Sequence, residues 1–396
     1  MKAQLLQMFQ HFVALPSLKD ELTPRRCLLF SVIVLVCIGT TMIGSASMPY
    51  AAYKFDQPLY FMIRQLVYLV AAVTVAAITI RIPLKVWFAQ TFLLWILVIV
   101  LLLAVLLLGA SINGSKRWLA LAGITFQPSE LAKFVMVLFT ADYVVRRADE
   151  VRFSMMGFLR LCLPMGAVLL LIMLEPDLGA TVVVVASMLT VFFLAGAPPK
   201  QFLVLFLSAF GALAMAILFE PYRMTRLVSF ANPWDDEAGT DYQLKQSLIA
   251  FGRGEWTGTG LGHSVQKLSY LPEAHTDFML AIVGEELGFV GISTLFFLLF
   301  VLVVSSMRIG HRALEHKHLR AGYLAYGISV IFLLQILVNC GMNMGMLPTK
   351  GLTLPFISYG GTSLVVCMMM VAVLLRIDRE TVQPVPPTAR EAYGSV

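Results

Sequence analysis

The strongest constraint on this chain is a run length. Ten stretches stay apolar for about twenty residues each, which is what a helix needs to cross the hydrocarbon core of a bilayer. They fall at roughly 27–47, 59–80, 87–109, 127–145, 156–174, 178–195, 202–219, 277–306, 321–346 and 353–375. Such runs leave no room for a separate soluble core. Of the 396 residues, 59% are hydrophobic and only 13% charged, about half the charge of an ordinary soluble domain. Mean hydropathy is +0.83. The expected fold is an all-α polytopic membrane protein with ten transmembrane helices. The 127–145 stretch is the least apolar, and 277–306 is long enough to tilt or to project from the bilayer.

Lys and Arg orient the spans. With the N-terminus inside, 17 of the 29 Lys and Arg residues fall on the cytoplasmic side, 9 on the outer side and 3 within spans. That bias is expected when both termini are cytoplasmic. The net charge of +6 thus reflects topology, and a nucleic-acid partner is not expected. The organisation reads as a cytoplasmic leader (1–26), a transmembrane domain (27–376) and a cytoplasmic tail (377–396). One large loop, 220–276, separates the seventh and eighth spans. It opens on turn chemistry in NPWDDEAGTDYQ, continues into QLKQSLIAFGRG, a candidate amphipathic helix, and then into Gly-rich WTGTGLGHS. It is too long for a plain connector and too apolar for disorder. The first apolar run is long enough to remain as a membrane helix rather than be removed as a signal. Cys27, Cys37, Cys162, Cys340 and Cys367 lie in or beside spans without a CxxC pair, so they read as packing residues. No Walker A sequence, dinucleotide fingerprint or HExxH occurs.

Ionisable groups inside a bilayer are costly, so each is a candidate functional residue. Glu130 and Lys133, in QPSELAKF, share a helical face at i, i+3. They are either a structural ion pair or the wall of a polar cavity. Arg64, in YFMIRQLVYL, either snorkels to the surface or lines a site. Lys116 and Arg117, in NGSKRW, are solvated charges or phosphate contacts. Lys350 sits in GMLPTKGLTLPFISYGGTS, whose Pro and Gly make an irregular backbone that only a protein or water-filled surrounding satisfies.

The densest group is LPEAHTDFMLAIVGEELG, residues 271–288, with Glu273, His275, Asp277, Glu285 and Glu286. Thr276 could cap the eighth span, with Asp277 in its first turn. Capping does not explain the other four groups. Glu285 and Glu286 project from different faces of the helix, so at most one of them can line the same cavity as Asp277. A carboxylate at the outer face beside an apolar groove and basic residues suits a general base acting on a hydroxyl, with cations holding a phosphate leaving group. The substrate would have a lipid tail in the bilayer and a polar head outside.

LPEAHTDFMLAIVGEELG, GMLPTKGLTLPFISYGGTS, QPSELAK, EPDLG and NPWDDEAGTDYQLKQSLIAFGRG together resemble the SEDS family (shape, elongation, division and sporulation), over nearly the whole chain from Cys27 to Asp378. PTKGLTLP and QKLSYLPEAHTDF resemble its cell-division branch rather than its elongation branch. The resemblance implies a peptidoglycan glycosyltransferase of the inner membrane at the division septum, polymerising lipid II onto an undecaprenyl-pyrophosphate-linked glycan. It puts the catalytic aspartate on Asp277 and substrate contacts on Glu130, Lys133 and Arg64; Lys116, Arg117, Lys350 and His275 are further candidates from the sequence. It also implies a class B penicillin-binding protein as transpeptidase partner, packed against the eighth and ninth spans, alongside other divisome proteins. Where some division members carry Arg, two residues before the Gln of QPSELAK, this chain has Thr125, so Lys116, Arg117 or Lys133 would have to hold the pyrophosphate. A divalent cation, Mg or Mn, could assist there, although no outer cluster spells a metal site. Two other functions are compatible with ten spans: a lipid II flippase, and a scaffold that recruits the partner synthase. A flippase needs polar groups along a path through the bilayer, whereas the chemistry here gathers on the outer side.

Overall fold

In the computed structural model, residues 23–112, 115–121, 124–153, 155–218, 242–348 and 351–382 are described. They form thirteen helices and three short strands. The helices are α1 (Pro24–Phe55), α2 (Tyr60–Thr79), α3 (Leu84–Ala89), α4 (Thr91–Leu108), α5 (Pro128–Arg146), α6 (Ala148–Phe153), α7 (Met155–Leu174), α8 (Leu178–Leu194), α9 (Pro199–Leu218), α10 (Tyr242–Gly254), α11 (Met279–Glu315), α12 (Leu319–Asn343) and α13 (Gly361–Val382). Helix occupies all ten apolar stretches, and six of these helices are long and apolar enough to cross a membrane: α1, α2, α4, α11, α12 and α13. Pro24 and Pro128 stand in the first turns of α1 and α5, where a missing N–H costs nothing.

Three expectations need correcting. The fold is not purely helical: β1 (Ala110–Ile112), β2 (Ser115–Leu121) and β3 (Ile124–Phe126) form an antiparallel sheet between α4 and α5. Runs this short carry no hydropathy signal beside a span. The third stretch divides at Gln90 into α3 and α4. The last helix begins at Gly361, not at 353, because residues 351–360, GLTLPFISYG, form an irregular segment.

The least apolar stretch turns out to be the centre. Helix α5 is buried on nearly every face and packs against α4, α8 and α12. Its polar residues are inside because they have partners there, not because they face lipid.

Helix α11 has 37 residues, about 55 Å at 1.5 Å per residue, against a hydrocarbon core of about 30 Å. It breaks at Gly288, where φ is 62° and ψ −162°, a conformation open to glycine. The break frees main-chain groups, and the loop after α10 takes up four of them. Thr259 N donates to Glu285 O (2.9 Å) and Gly260 N to Glu286 O (3.0 Å); Phe289 N donates to Glu255 O (2.9 Å) and Val290 N to Trp256 O (3.1 Å).

The two side chains beside the break do the same. The Glu285 carboxylate is wholly buried and accepts from Ser264 Oγ, Val265 N (3.1 Å) and Gln266 N (3.2 Å). The Glu286 carboxylate, also wholly buried, accepts from Lys267 Nζ (2.7 Å) and from Ser45 Oγ of α1 (2.7 Å). Neither lines a cavity with Asp277; both fasten the loop. Removing Lys267 would strand the Glu286 charge in the interior. Lys267→Ala should therefore cost about 3–5 kcal/mol of stability, and Lys267→Met with Glu286→Leu should cost less than that single change. Thermal unfolding of the three proteins in detergent checks the order.

Candidate active site

Five segments remote in sequence meet where α11 begins: Arg117 of β2, Gln127–Lys133, Glu175–Gly179, Glu273–Phe278 and Gly351–Gly360. Two of the motifs singled out in the sequence bind one another through Asp177. Its Oδ1 accepts from Ala180 N (3.1 Å), capping α8. Its Oδ2 accepts from Ser129 Oγ (2.9 Å) and Gln127 Nε2 (3.1 Å). QPSELAK and EPDLG are thereby one structural unit. Gln127 N also donates to Thr362 Oγ1 (3.1 Å), which ties the unit to the start of α13.

Arg117 hangs on the same turn. Its Nε donates to Glu175 O (3.3 Å) and its Nη2 to Pro176 O (2.6 Å). The third nitrogen, Nη1, lies near Gly351. A Cβ added to Gly351 would lie 3.9 Å from Arg117 Nη1 and 3.1 Å from Asp277 Oδ2. Guanidinium and carboxylate therefore flank one point, and the sum of those two distances caps their separation. A side chain at 351 would fill the space between them.

Asp277 is partly exposed and lies two residues before α11. The capping role expected of Thr276 is not found. The residue at the N-cap is Phe278, and Thr276 Oγ1 instead donates to Glu273 Oε2 (2.8 Å) and Glu273 O (3.1 Å). Asp277 is thus outside the first turn. Its main-chain carbonyl accepts from Asn339 Nδ2 and Asn343 Nδ2, each at 3.0 Å.

The other candidates divide by what holds them. Lys133 is fully buried, and its Nζ donates to Glu130 Oε1 at 2.8 Å; the pair lies beside the Cys367 thiol and Ser363. His275 is buried with its ring against Phe61, Tyr50 and Tyr359. Burial pushes its imidazole below the usual range, with Glu273 opposing. Arg64 donates to Tyr60 Oη (2.7 Å) and lines a cavity of about 530 Å³ with Tyr68, Val67, Thr125, Phe126 and Val365. Lys116 is exposed. Lys350 lies outside the described residues. Among the described residues, no group of three or more His, Cys, Asp and Glu could hold a metal ion.

Three residues of this region are not charges within a span and lack that mark in the sequence. Asn339 and Asn343 are wholly buried in α12; their i, i+4 spacing in NCGMN, inside an apolar run, was the available signal. Glu175 is wholly buried and neither carboxyl oxygen has a hydrogen-bond partner among the described residues. Burial pushes its carboxyl up to about 8, Asp177 adds to the rise and Arg117 opposes it. Only the turn-forming EPD sequence marked it.

The family model described as "Cell cycle protein", for FtsW, RodA and SpoVE, matches residues 25–383, all but the two ends of the chain. The chain belongs to this FtsW/RodA/SpoVE family. It is 57% identical over 378 residues to the "Probable peptidoglycan glycosyltransferase FtsW" of Acinetobacter baylyi, covering 96% of this chain and 94% of the relative. A solved structure described as "Structural coordination of polymerization and crosslinking by a peptidoglycan synthase complex" contains a chain with the same fold at TM-score 0.70 and 28% identity, covering 90% of this chain and 98% of that one. The crystal structure of the Thermus thermophilus rod shape determining protein RodA matches at TM-score 0.65 and 28% identity, covering 90% of this chain and 97% of RodA. The resemblance to the SEDS family is thus borne out, in its FtsW branch.

The Glu175 carboxyl sets a pH dependence. In the unfolded chain it loses its proton near 4.5; in the folded protein it keeps it until about 8. The folded state binds more protons between those values, so its contribution to stability is present at acid pH and is lost as pH rises toward 8. Glu175→Gln removes that loss. Its melting temperature should exceed that of the wild type by several degrees at pH 8 and converge with it toward pH 5, measured by differential scanning fluorimetry.

Proposed function

We propose that the protein is a peptidoglycan glycosyltransferase of cell division that polymerises lipid II into β-1,4 glycan strands, with Asp277 as general base. The observation that carries this reading is the pairing at Gly351. One carboxylate oxygen and one guanidinium nitrogen border the same point, a base for the attacking hydroxyl and a cation for the departing pyrophosphate.

Inverting glycosyl transfer needs those two groups. Asp277 takes the proton from the 4-hydroxyl of an incoming lipid II. That oxygen bonds to the anomeric carbon of the growing strand. The bond from this carbon to the pyrophosphate breaks, and undecaprenyl pyrophosphate leaves with the electron pair. Of the basic residues considered for the pyrophosphate, Arg117 is the best placed. Two main-chain carbonyls fix its guanidinium, so little order is lost on binding. Lys133 is engaged by Glu130 and backs the site, while Lys116 is out in solvent. The cavity beside Arg64, apolar apart from its guanidinium, two tyrosines and two threonines, suits the first isoprene units and the lipid phosphate. A magnesium or manganese ion, where one assists, belongs to the pyrophosphate of the substrate rather than to a protein site.

In this reading all ten helical segments cross the inner membrane at the septum. Both termini are cytoplasmic and the 220–276 loop is outside. A class B penicillin-binding protein supplies the crosslinking activity and packs its single span on α11 and α12. The bare apolar face of α11, with Phe289, Val290, Phe297 and Phe300 more than half exposed, supports that contact. Other divisome proteins recruit the pair.

Purified protein with its cognate class B partner, transpeptidation blocked, is the system for the test. Asp277→Asn should lower lipid II polymerisation by about 10²–10⁴-fold and still copurify with the partner. Arg117→Ala should lower kcat/KM by about 10²–10³-fold. Polymerisation at the wild-type rate by Asp277→Asn would remove the base from the mechanism and return the flippase and scaffold functions to contention.

A further inference from the structure

We infer that Asn339 and Asn343 are positioning residues for Asp277, the device that aims its carboxylate at the substrate hydroxyl. The inference rests on Asp277 being the general base.

Asp277 stands in a segment that no regular ladder holds. Helix α11 starts tightly, with Ala281 N donating to Phe278 O at 3.0 Å. The peptide linking Asp277 to Phe278 has its carbonyl turned toward α12 instead. There two side-chain amides converge on it, Asn339 Nδ2 and Asn343 Nδ2, at 3.0 Å each. Both residues have no exposed surface, so water does not compete for those donors. A carbonyl oxygen gripped from two directions fixes the orientation of its peptide, and with it the direction in which the Asp277 side chain leaves the backbone.

The same amides reach the opposite wall of the site. Asn339 Nδ2 also donates to Leu352 O at 2.6 Å. Leu352 follows Gly351, the residue whose absent side chain leaves room for the Asp277 carboxylate. Asn343 Nδ2 also lies within hydrogen-bond reach of Asn339 O (2.9 Å) and Asn339 Oδ1 (3.3 Å), sharing its two hydrogens among these and Asp277 O, which ties the two amides together. Ser247 Oγ of α10 donates to Asn343 O (2.8 Å) and links the long loop to the same turn of α12. One helical turn therefore sets the distance between the base and the glycine-lined space opposite it. Neither asparagine makes its bond to the Asp277 carboxylate, so they act on geometry rather than on the reacting atoms.

A misplacement of about 1 Å in a catalytic group can cost on the order of 10²-fold in rate. The full chain in complex with its class B partner, with lipid II as substrate, gives the test. Asn343→Ala removes one donor and leaves the Leu352 tie in place; Asn339→Ala removes both. The expected result is a fall in kcat of roughly tenfold for the first and roughly 10²-fold for the second, with KM within about twofold of wild type. Ser329→Ala is the control for trimming a buried polar group of α12, since Ser329 Oγ bonds only within its own helix, to Ala325 O (2.7 Å); it should leave kcat unchanged. A rise in KM with kcat intact would overturn the inference, as would alanine variants that do not accumulate as folded complex, because the asparagines would then serve substrate binding or the fold alone. Failure of the base reading shows separately, as an active Asp277→Asn.

Discussion

A helix broken inside a membrane-sized span leaves amides and carbonyls that hydrocarbon cannot satisfy, and the rest of this structure depends on how the break at Gly288 is answered. The loop from Gly254 to Gly260 supplies the missing partners, main chain to main chain. Glu285 and Glu286 then pin the following segment, 264–267, with buried carboxylates. The exchange is mutual: the loop completes the helix, and the helix gives the loop a fixed course. That course ends at Asp277. The Asp277 segment is consequently mounted on a short half-helix, Met279–Leu287, that is buried except at Leu287, while the half beyond the break exposes Phe289, Val290, Phe297 and Phe300.

This division of labour explains why so many ionisable groups gather in a greasy stretch. Most of them are spoken for. Glu273 is bonded by Thr276, His275 is enclosed by aromatic rings, and the two consecutive glutamates hold the loop. Asp277 differs in where its groups go. Its carbonyl is held by α12, and its carboxylate is presented at Gly351 beside Arg117. Buried charges elsewhere in the bundle, such as Lys133 with Glu130, are paired internally, as burial requires. At Gly351 one carboxylate and one guanidinium thus border the same space.

Much of this was legible beforehand, for stated physical reasons. Twenty-residue apolar runs located the helices because a bilayer sets their length. The amphipathic pattern of QLKQSLIAFGRG marked α10, and QPSELAK, EPDLG and LPEAHTDF named segments that the structure brings together. What escaped notice was anything decided by packing between distant segments. No local rule joins QPSELAK to EPDLG through Asp177, or turns the consecutive Glu285 and Glu286 both toward one loop; helical periodicity put them on different faces, and the loop wraps far enough to reach each. Thr276 looks like a cap by composition, yet Glu273 takes its hydroxyl. Residues 353–360 look like the start of a span by hydropathy, yet their Pro and Gly keep them irregular. Asn339 and Asn343 carry no charge, so the cost of charge in lipid does not single them out.

The account turns on where the sugar hydroxyl sits. A structure of Asp277→Asn bound to lipid II and its class B partner, solved by electron cryomicroscopy, measures that directly. The account predicts the attacking 4-hydroxyl within hydrogen-bond reach of the side chain at 277, about 2.6–3.2 Å, and the pyrophosphate of the strand against Arg117. A sugar bound elsewhere, with the 4-hydroxyl facing another carboxylate or the pyrophosphate remote from Arg117, would contradict it.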